Sequence, residues 1–306
     1  RFAAGIAASD ITASRDSGNL YLSLNGTTDK ITVQNWFSGN AYKVEKVQFA
    51  GGTTWNTATL QAAAYMGTDG ADYLSGTGDN ETFNGGGGND YLVGNGGNDV
   101  LNGGTGNDPL SGGVGNDTYV FARGDGQDAI SDYDMTTGNL NTDTIRFAAG
   151  IAASDITASR DQGNLCLSLN GTGDKITVQN WFSGNAYKVE KIQFADGTVW
   201  NTSTLQAAAY MGTDGADYLY GTEDNETFIG KGGNDNLSGG GGNDTLNGGA
   251  GNDLLYGGVG NDTYVFARGD GQDTINESNM MTGNTDTIRF AAGIAASDIT
   301  ASRDSG

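Results

Sequence analysis

Residues 85–117 read GGGGNDYLVGNGGNDVLNGGTGNDPLSGGVGND, and an aspartate recurs at every ninth position of this stretch. Each aspartate ends a glycine-rich turn of six residues, and an apolar residue follows two positions later. Glycine permits the positive φ angles and the close backbone approach that such turns require. A disordered linker has no reason to keep this spacing, so the register indicates a folded repeat.

The nine-residue unit brings together the oxygen atoms that a hard cation prefers. Carbonyls that face into the turn and the aspartate carboxylate favour calcium over magnesium, because calcium accepts irregular coordination by six to eight oxygens. One apolar residue in nine cannot fill a sandwich core, but it can form a single stacked column if short strands coil on one another. That column is predicted from Leu74, Phe83, Leu92, Leu101, Leu110 and Tyr119.

The composition excludes several functional classes. The 306 residues include 53 Gly, one Cys and no His, and the net charge is −22. A chain without His cannot form a Ser-His-Asp triad or a His-ligated zinc site, and one Cys cannot form an intramolecular disulfide. The acidic charge repels nucleic acids and anionic membranes, and no apolar run approaches the roughly 18 to 20 residues of a membrane span. We therefore expect no enzyme, no nucleic-acid partner and no membrane insertion.

A longer repeat encloses the short one. The segment RFAAGIAASDITASRD begins at Arg1, Arg146 and Arg289, so the chain holds two repeats of about 145 residues and the start of a third. We interpret it as a window from a longer array. The predicted divisions are β-rich modules at 1–66 and 146–211, calcium rolls at 67–130 and 212–275, connectors at 131–145 and 276–288, and a third copy from 289 to 306.

The modules read as β-strands and hairpins, because short alternating runs such as NLYLSL are separated by turn signals. Each module closes with a helical stretch, which Asn56 or Thr57 is expected to cap in the first copy. Trp36, Phe37 and Tyr42 are expected in the module core, although a glycan-binding surface is the alternative. The sequence leaves open whether the module continues the coil or forms a separate sandwich.

The nine-residue unit resembles the RTX family, the hemolysin-type calcium-binding repeats with the motif G-G-x-G-x-D-x-U-x, in which U is apolar. This resemblance implies an all-β fold, a right-handed parallel β-roll that alternates with the β-rich modules. In such a roll two nonapeptides form one turn, and several calcium ions lie between the glycine turns. An aspartate of one unit meets the turn of the unit two places along.

The same resemblance implies the calcium ligands. Asp90 and Asp108 would line one edge of the first roll and Asp99 and Asp117 the other, with Asp235, Asp253, Asp244 and Asp262 as their counterparts in the second copy. Turn carbonyls would add ligands at Gly85, Gly87, Asn89, Gly103, Thr105, Asn107, Gly239, Gly241 and Asn243.

Some positions depart from the motif. Asp72 and Asp217 are in phase and are also expected to be calcium ligands, although their turns lack the second glycine. Glu81 and Glu226 replace aspartate, and the longer side chain is expected to weaken or remove a site. Asp125, Asp128, Asp270 and Asp273 follow the regular units and are weaker candidates.

These features lead to an expectation about function. We expect a calcium-binding structural segment of a long, secreted Gram-negative protein, exported by type I secretion and folding outside the cell as an adhesin stalk or an extracellular filament. Further copies of the repeat, in the same or neighbouring chains, would be its partners. The alternatives are a secretion and folding appendage of an exported enzyme or toxin, and a glycan-binding surface module.

Overall fold

The computed structural model describes residues 1–16, 18–134, 141–277 and 283–303. It divides into two compact units: one comprises Arg1–Thr157 and Gly163–Thr202, and the other comprises Ala158–Gln162 and Ser203–Gly306. No helix within the described ranges is long and apolar enough to cross a membrane.

The first module of unit 1 is built from five strands and a helix. Strands β1 (Ile11–Arg15), β2 (Leu20–Leu24) and β3 (Lys30–Val33) form an antiparallel sheet, and β4 (Lys46–Gln48) pairs with β5 (Thr54–Asn56) as a hairpin. Helix α1 (Thr57–Ala64) follows directly. The Asn56 side chain accepts a hydrogen bond from the Thr59 amide at 2.9 Å, so Asn56 and not Thr57 is the N-cap.

The first roll places its strands alternately on two parallel sheets. One sheet receives β6 (Tyr73–Ser75), β8 (Tyr91–Gly96), β10 (Pro109–Val114) and β12 (Gln127–Ile130), and the other receives β7 (Thr82–Asn84), β9 (Val100–Asn102), β11 (Thr118–Phe121) and β13 (Thr144–Phe147). Leu92 pairs with Leu74 and Leu110, whereas Leu101 pairs with Phe83 and Tyr119. Two nonapeptides therefore make one turn, and the predicted parallel β-roll is confirmed.

The predicted apolar column forms the core between the two sheets. Phe83, Leu92 and Leu101 are completely buried. Trp36 is also completely buried in the first module, where its indole Nε1 donates to the Val44 carbonyl at 3.1 Å. Trp36 is thus a core residue, as expected, and Phe37 packs half-buried against this core. The expectation is wrong for Tyr42, which ends the short 3₁₀ helix Asn40–Tyr42 and is 54% exposed.

The second module continues the sheets of the first roll. Its strands are β14 (Ile156–Asp161), β15 (Asn164–Leu169), β16 (Lys175–Val178), β17 (Lys191–Gln193) and β18 (Val199–Asn201). Strand β16 pairs in parallel with β12, and β17 pairs in parallel with β13. The resulting sheets have the orders β14-β15-β16-β12-β10-β8-β6 and β18-β17-β13-β11-β9-β7. This resolves the alternative that the sequence left open, because at this junction the module extends the coil.

Unit 2 repeats the roll architecture after helix α2 (Thr202–Ala209). Strands β19 (Tyr218–Tyr220), β21 (Asn236–Gly241), β23 (Leu254–Val259) and β25 (Thr274–Ile275) form one sheet, and β20 (Thr227–Ile229), β22 (Thr245–Asn247), β24 (Thr263–Phe266) and β26 (Thr287–Phe290) form the other. Short 3₁₀ helices complete the described chain at Ala8–Asp10, Trp36–Ser38, Asn40–Tyr42, Ala153–Asp155, Trp181–Ser183, Asn185–Tyr187 and Ala296–Asp298.

Gly106 shows why the turns of the roll need glycine. Its φ is +151°, and a Cβ at this position would lie 1.8 Å from the carbonyl oxygen of Gly88 in the preceding turn. A side chain would therefore push two successive turns apart. A Cβ on Gly78 in the same roll would meet no atom within 4 Å, and the φ of Gly78 lies outside the left-handed region.

We expect Gly106→Ala to destabilise the calcium-loaded chain by about 1–3 kcal/mol, because overpacking forces the backbone of a stacked turn to shift. Thermal unfolding followed by circular dichroism measures the change. Gly78→Ala is the matched control and should change the melting temperature little. Equal effects of the two substitutions would show that the contact with Gly88 does not limit the stacking.

Candidate metal centre

Each regular aspartate holds the preceding turn of the roll through one carboxylate oxygen. The Oδ1 atoms of Asp90, Asp99 and Asp108 accept hydrogen bonds from backbone amides 18 residues earlier, at 2.7 Å in each case. The same bond recurs in unit 2, where Asp235 Oδ1 accepts from the Asp217 amide at 2.9 Å. One oxygen of each carboxylate is therefore used in stacking turns.

The second oxygen of these carboxylates is buried without a hydrogen-bond partner among the described residues. Among the regular units this state is shared by eight aspartates: Asp90, Asp99, Asp108, Asp117, Asp235, Asp244, Asp253 and Asp262. The Oδ2 atom of Asp273 is in the same state. Leaving a buried charged oxygen without a partner is costly, so each such atom requires neutralisation by a proton or a cation.

Each free oxygen lies in a gap that only glycine leaves open. A Cβ on Gly85 would stand 2.3 Å from both Asp90 Oδ2 and the carbonyl oxygen of Gly103 in the next turn. Gly94 and Gly239 show the same arrangement toward Asp99 and Asp244, with distances of 2.2 Å to the carboxylate. A carboxylate oxygen and a carbonyl oxygen thus converge beside Gly85, Gly94 and Gly239, and these hard donors fit calcium.

Burial raises the pKa of the regular aspartates above the usual 3.8. The pKa of Asp99 rises to about 7, that of Asp108 to about 6 and that of Asp244 to about 7. In each case desolvation by burial is the largest cause, and neighbouring carboxylates raise the pKa further. Without a cation, these groups would take up protons near neutral pH.

The first two units of each roll satisfy their acids internally. Asp72 Oδ2 accepts from the Thr68 amide at 2.6 Å and from the Thr68 hydroxyl at 2.8 Å, and Asp217 is held in the same way by Thr213. Glu81 Oε2 accepts from the Thr77 amide at 3.0 Å, and Glu226 has the equivalent bond from Thr222. Threonine replaces the second glycine in all four turns and supplies these hydrogen bonds. This gives a physical reason for the weaker sites predicted at Glu81 and Glu226.

The weaker candidates after the regular units divide into two kinds. Asp125 and Asp270 accept a hydrogen bond through Oδ2 from the amide three residues earlier, so they close their own turns. Asp128 and Asp273 instead accept through Oδ1 from the amides of Asp108 and Asp253, as the regular aspartates do. The spacing is 20 residues rather than 18 in these two cases.

The turn carbonyls are not equivalent as candidate ligands. The carbonyl oxygens of Gly85, Gly103 and Gly239 lie in the gaps beside a carboxylate of the preceding turn, whereas that of Thr105 accepts from the Gly88 amide at 2.9 Å. The asparagines form ladders along the turns, because each side-chain oxygen accepts a hydrogen bond from a backbone amide of the next turn. Asn89 accepts from the Asn107 amide, Asn107 from the Gln127 amide, and Asn243 from the Asn261 amide. Gly87 pairs with Thr105 in a parallel bridge, and Gly241 lies within β21.

Sequence reasoning missed several acids that extend the series. Asp143 Oδ1 accepts from the Asp117 amide at 2.7 Å, and Asp286 Oδ1 accepts from the Asp262 amide at 3.0 Å. Asp143 lies 26 residues after Asp117, and Asp286 lies 24 residues after Asp262. Because neither spacing is a multiple of nine, the nine-residue period did not reveal them. The pattern Asp-Thr-Ile, with an apolar residue two positions after the acid, was the available signal.

Asp143 belongs to a cluster of buried acids at the junction between the first roll and the second module. Neither carboxylate oxygen of Asp132 has a partner within the described chain, and this residue is only 2% exposed. Glu190 Oε2 accepts from the Asp143 amide at 2.8 Å. Burial raises the pKa of both Asp132 and Asp143, and the neighbouring Asp132 carboxylate raises the pKa of Asp143 further. In unit 2, Asp262, Glu277 and Asp286 each place a carboxylate oxygen within 4.8 Å of the other two.

Two family models match the regions that carry this geometry. A model described as RTX calcium-binding nonapeptide repeat (4 copies) matches residues 65–92, 93–128, 210–237, 229–264 and 238–275. The two rolls are RTX calcium-binding repeats. A second model, described as haemolysin-type calcium binding protein related domain, matches residues 19–59 and 164–204 of the two modules. The RTX assignment shows calcium binding by the repeats and confirms the resemblance seen in the sequence.

Known proteins share parts of this chain. Iron-regulated protein FrpA of Neisseria meningitidis serogroup C is 37% identical over 106 residues, which are 34% of this chain and 9% of the relative. The AlgE6R3 subunit of the Azotobacter vinelandii mannuronan C5-epimerase is 32% identical, with 36% of this chain and 71% of that chain covered at a TM-score of 0.27. Extracellular lipase LipA of Serratia marcescens is 19% identical, with 78% of this chain and 34% of that chain covered at a TM-score of 0.25.

We expect Asp108→Asn to reduce the number of calcium ions bound, or to weaken one site at least roughly tenfold, because the amide places less negative charge in the gap. Isothermal titration with calcium measures both quantities. Asp72→Asn is the matched control, since its amide oxygen can still accept from Thr68. Equal losses in the two variants would contradict the distinction between glycine and threonine turns.

The raised pKa values predict opposite pH effects with and without calcium. The folded, metal-free aspartates bind protons more tightly than the unfolded ones, so metal-free stability should be highest near pH 4 and fall as the pH rises toward 7. Calcium competes with those protons, so calcium affinity should rise over the same range. Thermal unfolding of metal-stripped and calcium-loaded protein between pH 4 and 8 measures both trends. A metal-free protein that gains stability as the pH rises would contradict the burial of these carboxylates.

Proposed function

We propose that this chain is a calcium-dependent structural segment of a long secreted RTX protein, which folds and stiffens outside the cell as an adhesin stalk or extracellular filament. The observation that carries the proposal is the set of eight buried carboxylate oxygens without a partner among the described residues. A protein that binds calcium only at its surface would not bury these atoms in the gaps between stacked turns.

Charge explains why folding depends on the ion. Residues 67–128 carry 10 acids and 1 base, and residues 212–273 carry 11 acids and 2 bases. Without a cation these carboxylates repel one another, and a single apolar column contributes too little to overcome the entropy of the chain. With calcium bound, the binding free energy becomes folding free energy.

The same dependence supports an extracellular location. Extracellular calcium modules work at dissociation constants of about 10⁻⁴ to 10⁻³ M, so their sites are empty at cytosolic calcium levels. The chain would remain unfolded inside the cell, which suits export through a type I secretion system, and would fold on reaching millimolar calcium.

Continuity of the sheets supports the stalk or filament. Successive turns of a roll stack about 4.8 Å apart, and the sheets of the first roll run without a break into the second module. The two modules differ at only 7 of 66 positions, which suits a uniform array. We propose no catalytic role for these residues, because the chain lacks histidine and the acids of the rolls serve the calcium gaps.

The alternative function is a secretion and folding appendage of an exported enzyme or toxin. The flanking sequence of the full protein discriminates: further copies of RFAAGIAASD support the stalk or filament, whereas a catalytic domain supports the appendage. Glycan binding through the tryptophan rings is disfavoured, because Trp36 and Trp181 are 0% and 1% exposed.

We expect the full chain to be largely disordered in chelator and to gain β-structure in a cooperative transition when millimolar calcium is added. Far-ultraviolet circular dichroism during a calcium titration measures the change, and magnesium at the same concentration is the matched control. An unchanged spectrum across the titration would refute calcium-dependent folding.

A further inference from the structure

The regular gaps of the roll are closed by a carbonyl of the next turn. At Gly94, a Cβ would lie 2.2 Å from Asp99 Oδ2 and 2.5 Å from the carbonyl oxygen of Gly112, which is level with Gly94 in the next turn. Gly112 in turn opens the next gap on the same edge, because a Cβ there would lie 2.2 Å from Asp117 Oδ2. The residue that is level with Gly112 therefore decides what shares this last gap with Asp117.

An acid, Asp132, takes that place. Strand β12 pairs Ile130 with Leu110, so the residue level with Gly112 is Asp132, which follows Ile130 by two positions. The spacing from Gly112 is 20 residues rather than 18, and the residue is an aspartate rather than a glycine. The first roll thus ends with a carboxylate where its regular turns place a glycine.

The carboxylate of Asp132 is buried without a hydrogen-bond partner. Both of its oxygens lack a partner among the residues that the structure describes, and the side chain is only 2% exposed. The regular aspartates use one oxygen to hold the preceding turn, whereas Asp132 leaves both oxygens without such a bond. Burying charged oxygens without compensation is costly, so Asp132 requires a positively charged ligand or a proton.

Three more carboxylates surround this position, and we call the set the junction site: Asp117, Asp132, Asp143 and Glu190. Asp132 lies close enough to the other three for their charges to act on its own. Asp143 Oδ1 accepts from the Asp117 amide at 2.7 Å, and Glu190 Oε2 accepts from the Asp143 amide at 2.8 Å. The roll and the connector supply the three aspartates, and the second module supplies Glu190.

Basic side chains do not neutralise the junction site. Within the described ranges, none of its four carboxylates forms an ion pair with Lys or Arg. Lys188 acts on the charge of Glu190 from a distance, but its ammonium lies over the ring of Trp181, 5.1 Å from the centroid. Four carboxylates in one buried place repel one another strongly, so the folded junction requires charge from outside the chain.

The second roll repeats the three aspartate positions of the junction site. Its last turn brings Asp262, Glu277 and Asp286 together, with one carboxylate oxygen of each within 4.8 Å of the other two. Glu277 stands 145 residues after Asp132, and both of its sequence neighbours differ from those of Asp132. The carboxylate is therefore retained at this place although the flanking residues change.

We propose that the junction site binds a calcium ion, which holds the second module on the end of the first roll. The site lies outside the series of regular nonapeptide aspartates, except for Asp117. Its donors are carboxylate oxygens, which suit a hard cation that accepts irregular coordination. Because Glu190 belongs to the module and the aspartates do not, one ion links the two parts. The inference rests on the proposed function, since the first roll must fold with calcium to form the site.

The first test counts the ions that the full chain binds. Isothermal titration with calcium compares wild type with Asp132→Asn and Glu190→Gln, which remove one charge each and keep the size of the side chain. Each variant should bind one calcium ion fewer per chain at concentrations that saturate wild type. Glu190→Gln retains an oxygen that can accept from the Asp143 amide, and the residue is only half-buried, so this variant stays informative if Asp132→Asn does not fold.

The second test asks whether the ion holds the module. The amides of Lys175 and Gln179 donate across the junction to the carbonyls of Gly126 and Ile130, at 2.8 and 2.9 Å. In calcium, hydrogen exchange at these two amides should be at least roughly tenfold faster in the variants than in wild type, because the module opens more often. A purely local role of Glu190 would change exchange only beside it.

Glu45→Gln is the matched control. Glu45 occupies the position of Glu190 in the first module, is exposed, and has no roll before it within the 306 residues. This variant should match wild type in the number of ions bound and in exchange at Lys175 and Gln179.

Three results discriminate between the outcomes. A folded variant that binds as many ions as wild type would show that protons neutralise the junction site, and the proposal would be wrong. Loss of the ion with unchanged exchange would overturn its role in holding the module. Circular dichroism on the same samples separates both results from failure of the proposed function, in which calcium would induce no β-structure even in wild type.

Discussion

The rest of this structure depends on how each aspartate divides its two carboxylate oxygens. One oxygen accepts a backbone hydrogen bond from the preceding turn, and the other lies buried in a gap beside a glycine and a carbonyl oxygen. The first interaction fixes the distance between turns. The second creates a need for positive charge that the chain does not supply. We therefore propose that folding and cation binding are coupled in the rolls.

This division of roles explains the variation between the two copies. The nonapeptide blocks differ at half-buried and exposed positions, such as Ser75, which is Tyr220 in the second copy, while the acids and the column residues are retained. The exceptions are Asp72 and Glu81. In their turns Thr68 and Thr77 replace the second glycine and supply the hydrogen bonds to these acids. A turn thus satisfies its acid either from its own side chains or from a cation.

The period of nine was enough to predict the apolar column, and the family resemblance that this period carries implied the parallel roll and the aspartates that face the gaps. It could not reveal Asp143 or Asp286, because the connectors break the spacing while the hydrogen bond to the preceding turn persists. Nor could it show that Asp125 closes its own turn, since that depends on the local path of the backbone. The core position of Trp36 followed from the thinness of the module, although the indole bond to Val44 did not.

The sequence by itself determined the chemistry of the rolls, because the spacing of aspartate, glycine and an apolar residue fixes which atoms can meet across one turn. Only the tertiary structure decided what lies beyond the last turn. Strands β16 and β17 extend the sheets of the first roll, since their edges match those of β12 and β13 in both register and burial. Pairing between distant strands depends on which edges come together in space, and no local pattern encodes that.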